Sequence, residues 1–163
     1  MGLPPVVVGL TVYLLLSRGG PLGWMGWLFS PQAMILAQLI LALPLVIGLT
    51  MAAIEAVDSE LILQVRSLGA TRTQEIRALI REAQAGVIAA VVAGFGAIIS
   101  EVGAALLVGG NIAGQTRVLS TAIVLETRRG SFGLALALGG LLLALAFTIN
   151  AVITKLQSPL MRR

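Results

Sequence analysis

Two stretches of this chain carry no charge over a length that is hard to place in a soluble fold: Ser30–Ile54 and Gly130–Thr154. A helix rises about 1.5 Å per residue, so about 20 apolar residues cross the roughly 30 Å hydrocarbon core of a bilayer. Both stretches are long enough. A third, Ala83–Thr116, is interrupted by Glu101 alone. Within hydrocarbon every backbone polar group must be bonded inside the protein, which leaves helices and closed barrels. Barrel strands alternate in polarity over roughly ten residues, and these runs do not alternate. The fold class is therefore all-α, a polytopic helical membrane protein of about four membrane segments. Composition agrees, at 58% hydrophobic and 11% charged, against about 25% charged for a soluble domain.

Spans are expected over 4–16, 31–54, 84–109 and 131–155, within a single membrane domain covering 1–163. The first is short. Pro4 to Leu16 makes a helix of about 20 Å. It reads as part of a helix that begins upstream of residue 1, with Pro4-Pro5 tolerated in or at the start of a span. A signal peptide is the alternative, but the basic n-region and small-residue cleavage site are missing. Gly19, Gly20, Pro21 and Gly23 make 17–30 a loop. Trp24 and Trp27 suit the membrane interface, or are simply packed. Ser30-Pro31 has the residue types of a helix start. Pro44 is expected to kink the second span, and Gln38 to face protein rather than lipid.

The third span is rich in small residues at four-residue spacing. They run Gly86, Ala90, Gly94; then Ala89, Ala93, Ala97; then Gly96, Ser100, Ala104. Such stripes let helix backbones approach closely, so this helix is expected to be packed on several sides. Gly109-Gly110-Asn111 ends it. Ile112–Arg129 is an amphipathic connection with a short helix around Val118–Glu126. The last span has Asn150 near its end, and Pro159 and Arg162-Arg163 close the chain.

Between the second and third spans lies the charged segment 55–82, with five of the seven acidic residues and four of the eleven basic ones. Leu61, Ile62, Val65 and Leu68 recur at helical spacing, as do Ile76, Leu79 and Ile80. Gly69 ends the first helix, and Thr71-x-x-Gln74 has the form of a capping box opening the second. Each helix carries an apolar stripe that has to be buried, on a membrane surface or in a partner's groove. The abundance of carboxylates disfavours anionic lipid and favours a partner. Arg66, Arg72, Arg77, Arg81, Lys155, Arg162 and Arg163 fall on one side of the membrane. Arg18, Arg117, Arg128 and Arg129 fall on the other. The positive-inside bias puts 55–82 and the C-terminus in the cytoplasm.

The residue inventory excludes several chemistries. The chain has no Cys and no His, so thiolate or imidazole catalysis and metal ligation by those groups are absent. No cofactor bound by this chain, no metal site and no enzyme activity are expected. The net charge of +4 reports loop charges and gives no reason to expect nucleic acid. Glu101, a carboxylate within a span, costs about 2.5–3.5 kcal/mol or more. It reads either as a residue that lines the pathway or supports a gate, or as a structural hydrogen bond to a neighbouring helix. The run from Gly109 to Thr116 is not a P-loop, since Lys-Ser/Thr is missing and no strand precedes it. It is either a flexible outer loop that meets a substrate or an external partner, or an ordinary turn. These features leave three functions open. They are a permease with a docked cytoplasmic partner, a membrane structural or assembly protein docking some other partner, and an ion-coupled secondary carrier that uses Glu101.

Gln64-Val65-Arg66-Ser67-Leu68-Gly69-Ala70, followed by an amphipathic helix, resembles the coupling-loop motif of ABC importer permeases. Ile99-Ser100-Glu101-Val102-Gly103-Ala104 through Val108-Gly109-Gly110-Asn111-Ile112-Ala113-Gly114-Gln115-Thr116-Arg117 resembles the helix-and-loop block of the molybdate/tungstate type. So does Leu3-Pro4-Pro5-Val6-Val7-Val8-Gly9-Leu10. Glu126-Thr127 and Gly130-Ser131-Phe132-Gly133 lean towards the tungstate branch. There are two departures from the family pattern. Arg81-Glu82-Ala83-Gln84 stands where the family commonly has Leu-Pro, and the spans that family members carry before the Pro-Pro stretch are not in the chain.

The resemblance implies an ATP-driven importer for an oxyanion, tungstate first and molybdate next, in a bacterial or archaeal plasma membrane. It implies two permease copies as a homodimer, cytoplasmic ATP-binding subunits that hydrolyse the ATP, and an extracytoplasmic substrate-binding protein. It assigns coupling to Val65, Arg66, Ser67, Leu68, Gly69, Ala70 and Thr71. The pathway or gate falls to Gln38, Glu101 and Gly103, and the outer loop to Gly110, Asn111, Gly114, Gln115 and Thr116.

Overall fold

The computed structural model describes residues 3–157. Arg162 and Arg163, counted above in the topology, and Pro159 lie outside the described residues. Those residues form eight helices and no strand. They are α1 (Pro5–Leu16), α2 (Pro31–Glu55), α3 (Ser59–Ser67), α4 (Arg72–Glu82), α5 (Gln84–Ile99), α6 (Gly103–Gly109), α7 (Leu119–Arg128) and α8 (Phe132–Gln157), with a 3-10 turn at Gly23–Met25.

Pro31–Glu55 and Phe132–Ile153 are long and apolar enough to cross a membrane, and α4 with α5 makes a third span if the 62° bent pair is counted as one. Their outer faces suit lipid: Ile35, Leu39, Leu43 and Ile47 on α2, and Leu136, Leu143 and Phe147 on α8, are all exposed. In a bilayer that exposure carries no hydrophobic cost. α2 continues through Pro44 without a break in the helix. It starts at Pro31, but the Ser30 hydroxyl donates to the Trp27 carbonyl and does not cap the first turn.

The third span differs from the single helix expected over 84–109. It is two helices, α5 and α6, parted at Ser100–Val102. The cause is local hydrogen bonding. Ser100 Oγ donates back to the carbonyls of Gly96 and Ala97, each at 3.1 Å. Glu101 Oε1 accepts from the Ala104 amide at 3.0 Å, so the carboxylate caps α6. Ending one helix and capping the next satisfies a carboxylate that a continuous apolar helix would leave without a donor.

The core joins α1, the first half of α2 and α6: Val8, Val12, Leu16, Ala33, Met34, Ala37, Ala104, Ala105 and Val108. It therefore sits at the end of the bundle that carries the 17–30 and 110–118 loops. Phe29, in the left-handed region, ties the 17–30 loop to the end of α6 through its amide, which donates to the Val108 carbonyl at 2.9 Å.

One of the three small-residue stripes is buried within the chain. Gly86, Ala90 and Gly94 face α2, so closely that a Cβ on Gly94 would stand 2.4 Å from Val46 Cγ2 and one on Gly86 2.4 Å from Ala53 Cβ. Ala89, Ala93 and Ala97 are exposed. The expected packing on several sides is divided between the two helices: α5 packs on α2 and touches α8, and α6 packs on α2 and on α1. There, a Cβ on Gly9 would stand 2.8 Å from Ala104 Cα.

Candidate functional site

The wet end of the bundle is built by α3 and α4. Asp58 caps α3 by accepting the Glu60 amide at 2.9 Å. The chain turns at Gly69, φ +77°, which an L residue adopts only with strain. α4 then opens with Gln74 Oε1 accepting the Thr71 amide at 2.8 Å. The turn is clasped from both sides by Glu75. Its carboxylate accepts from Arg66 Nε and a terminal Arg66 nitrogen at 3.1 and 2.7 Å, and from Arg72 at 2.8 Å. The Arg66 hydrogen bond holds the Glu75 carboxyl below its ordinary range against the opposing effect of burial, and the same bond raises Arg66.

Glu75 was not among the residues singled out from sequence. Its pairing with Arg66 spans nine residues and exists only because the turn folds α4 back on α3. The clasp leaves apolar groups outside. Leu68, at the tip, is 86% exposed, and Leu63, Ile76 and Ile80 are exposed beside it.

α4 passes into α5 at Ala83, where the axis bends by 62°. This is the place where Arg81-Glu82-Ala83-Gln84 replaces the family's Leu-Pro. The bend needs no proline: Ala83 is buried, its amide bonds Leu79 O at 2.9 Å, and Val87 N bonds Ala83 O at 3.0 Å.

The pathway residues singled out from sequence fall in two places. Glu101 lines a small cavity of about 170 Å³ with Leu41, Leu45 and Ala97. Gly103 lies beside it, its α-carbon close enough that a Cβ would meet Glu101 Oε1 and Val6 at 3.2 Å. Gln38 instead lines an open cavity of about 690 Å³ between α2, α5, α7 and α8. Gly114, Arg117 and Ser120 share that cavity, with Ile99 and Leu145 among its apolar walls.

The glycine-rich connection is knit rather than loose. Thr116, fully buried, donates to the Gly109 carbonyl and accepts the Ile112 amide at 2.9 Å. Gln115, Thr116 and Arg117 amides all bond the Ile112 carbonyl, at 3.0–3.2 Å. Arg117 grips the Asn111 side chain and carbonyl at 3.3 and 3.2 Å. Gly110 and Asn111 are left-handed, as is Gly114. Of the two forms left open for Gly109–Thr116, the hydrogen bonds are those of a turn, which presents Arg117 and the start of α7 to the cavity.

The family profile described as "Binding-protein-dependent transport system inner membrane component" matches residues 1–163. The chain belongs to this family. The inner membrane component is 46% identical over 157 residues to a probable anion ABC transporter permease protein of Haloferax volcanii, covering 93% of this chain and 68% of the relative. It is 47% identical over 157 residues to a tungstate uptake system permease protein of Peptoclostridium acidaminophilum, covering 96% and 69%. Identity to the tungstate uptake system permease protein of Campylobacter jejuni is 41% over 157 residues, covering 96% and 66%. The chain thus spans about two thirds of the length of these relatives. As a member of this family with lipid-facing helices, the inner membrane component is a multi-pass transport subunit of the plasma membrane.

Proposed function

We propose that this chain is a permease subunit of an ATP-binding-cassette importer for an oxyanion, tungstate first and molybdate next. The observation that carries the reading is the 47% identity to a tungstate permease across 96% of the chain. The geometry supports it with a coupling path. Leu68 at the tip of the α3–α4 turn, with Leu63, Ile76 and Ile80, offers an apolar knob and rim to a partner's groove. The partner is a cytoplasmic ATP-binding subunit, which hydrolyses the ATP, and residues Val65–Thr71 form the contact. The Glu75 clasp makes the turn move as one body. α4 passes the motion through the bend to α5, which is locked on α2 by Gly86 and Gly94. α5 ends at the Glu101–Gly103 break, where two short helices can change their angle without unpairing a long backbone ladder. That break, capped by Glu101, serves as the gate. A second copy of the chain completes the pathway. The outer turn with Gly110, Asn111, Gly114, Gln115 and Thr116 faces an extracytoplasmic substrate-binding protein. The permease contributes positioning and motion, with no cofactor of its own.

The test is reconstitution of the complex from its own membranes into liposomes loaded with ATP, with the binding protein and tungstate outside. ATP-dependent tungstate uptake, and an ATPase subunit co-purifying with the chain, are expected. Uptake that proceeds without ATP, or purification with no ATPase, would refute the reading.

A further inference from the structure

The cavity of about 690 Å³ is apolar on most sides, yet at one wall three polar groups and a helix start converge. α7 begins at Leu119, and its first amides, at Leu119, Ser120 and Thr121, have no preceding turn of helix to bond. Val118 N is already taken by the Thr121 hydroxyl at 3.1 Å, and that hydroxyl returns its own proton to the Val118 carbonyl at 3.0 Å. Thr121 is therefore satisfied locally.

Ser120 is not. The residue is 7% exposed and lines the cavity, and its side chain has no hydrogen-bond partner among the described residues. No buried side-chain polar atom among the described residues lacks a partner, so the Ser120 oxygen keeps accessible surface, and it is open to the cavity that the residue lines. Gln38, half-buried on the otherwise apolar α2, also lines the cavity and also has no partner among the described residues. Arg117 stands at the same wall. It is bonded to neutral groups of Asn111 and is in no ion pair with any described carboxylate. Among the described residues no carboxylate lines this cavity, and Glu101 opens onto the small cavity of about 170 Å³.

Donors outnumber acceptors at this wall, and the positive end of a helix reinforces a guanidinium. The dry walls of Ile98, Ile99, Leu142, Leu145 and Ile149 strengthen the field there. We propose that the start of α7, with Ser120 Oγ, the Arg117 guanidinium and the Gln38 amide, forms an anion-binding station for a tetrahedral oxyanion in transit. The proposal rests on the transport reading above and names the side chains that the substrate meets inside the membrane. A cavity of about 690 Å³ has the volume of on the order of 20 waters, enough for the anion to keep part of its hydration. Open donors with loose water suit passage, where binding must be favourable enough to enter and weak enough to leave.

Two measurements on the complex purified from its own membranes test the station. In the unmodified complex, adding tungstate should slow amide hydrogen exchange at Leu119–Thr121, and sodium chloride at equal ionic strength should not. In liposomes, Ser120→Ala should lower ATP-dependent tungstate uptake about tenfold, the size expected for one hydrogen bond to a charged group. Ser120→Asp should lower it further, because a fixed carboxylate suits the helix start but repels the anion. Arg117→Lys should retain more uptake than Arg117→Gln.

If the unmodified complex takes up no tungstate, the transport reading itself fails. If it takes up tungstate while exchange at Leu119–Thr121 is unmoved, or while both Ser120 variants transport normally, the station alone is overturned. A co-purifying phospholipid that is lost in Arg117→Gln with uptake intact would also overturn it, by making the phosphate partner a lipid headgroup. The exchange arm needs no variant, so misfolding of a substituted protein does not leave the proposal unexamined.

Discussion

Gly69 separates backbone strain from every other effect a substitution could have. Its φ is +77°, and a Cβ built on it would meet nothing within 4 Å. Replacement therefore introduces no clash, and the whole cost is conformational. Forcing an L residue into the left-handed region costs roughly 1–2 kcal/mol. That shifts the population of the formed turn by about 5- to 30-fold. Asn tolerates this region best, Ala less, and a β-branched residue least. The expected order of impairment is thus Gly69→Asn, then Gly69→Ala, then Gly69→Val. The assay is the ratio of tungstate transported to ATP hydrolysed in liposomes, with the melting temperature of the complex measured alongside. Because the turn lies at the wet end, away from the core of α1, α2 and α6, the ratio should fall more than the melting temperature. Equal effects of Asn and Val would refute the strain argument. A fall in melting temperature without a fall in the ratio would refute the coupling argument.

Other perturbations follow from the same geometry. Glu75 titrates below the ordinary carboxylate range in the folded chain because of its Arg66 hydrogen bond. A depressed folded value means that its stabilisation is complete above the unfolded value of about 4.3 and is lost as pH falls through the lower folded one. The protection of α3 and α4 amides, as the ratio of intrinsic to observed exchange rate at each pH, should therefore be flat from pH 7 to about pH 5 and fall only in stronger acid, a response that Glu75→Gln abolishes. Gly94→Ala places a Cβ 2.4 Å from Val46 Cγ2 and should destabilise the complex by about 1–3 kcal/mol. Adding Val46→Ala removes the clashing methyl and should recover most of that loss, so additive melting shifts would sink the packing argument. Thr116→Val leaves the Gly109 carbonyl and the Ile112 amide without their partner, at about 1–3 kcal/mol for each buried group. Unchanged exchange at Ile112 in that variant would contradict the loop description.

The helices were readable in the sequence where a single physical rule dominates. Charge-free length marks Pro31–Glu55 and the long C-terminal helix from Phe132, because hydrocarbon tolerates nothing else. Spacing and turn chemistry mark α3, Gly69 and the Thr71–Gln74 cap, because each depends on neighbours within a few residues. Where two local rules compete, the same reading fails. Hydropathy carries a helix straight through 84–109. The carboxylate of Glu101 and the back-bonding hydroxyl of Ser100 are stronger local claims, and they divide it. Glycine content likewise left a flexible loop and an ordinary turn open between Gly109 and Thr116, and the Thr116 hydroxyl and Asn111–Arg117 contacts make it a bonded turn.

By itself, then, the sequence determined the medium, the helix class and the hinged wet segment, all of which follow from composition and spacing along the chain. Only the tertiary structure decided which distant side chains share a space. Arg66 reaches Glu75 because a left-handed glycine folds one helix over the next. Gln38, Arg117 and Ser120 share one cavity because α2, α5, α7 and α8 enclose it together. Such meetings depend on helix crossing, which is set by packing across the chain, as where Gly94 admits Val46 and Gly9 admits Ala104.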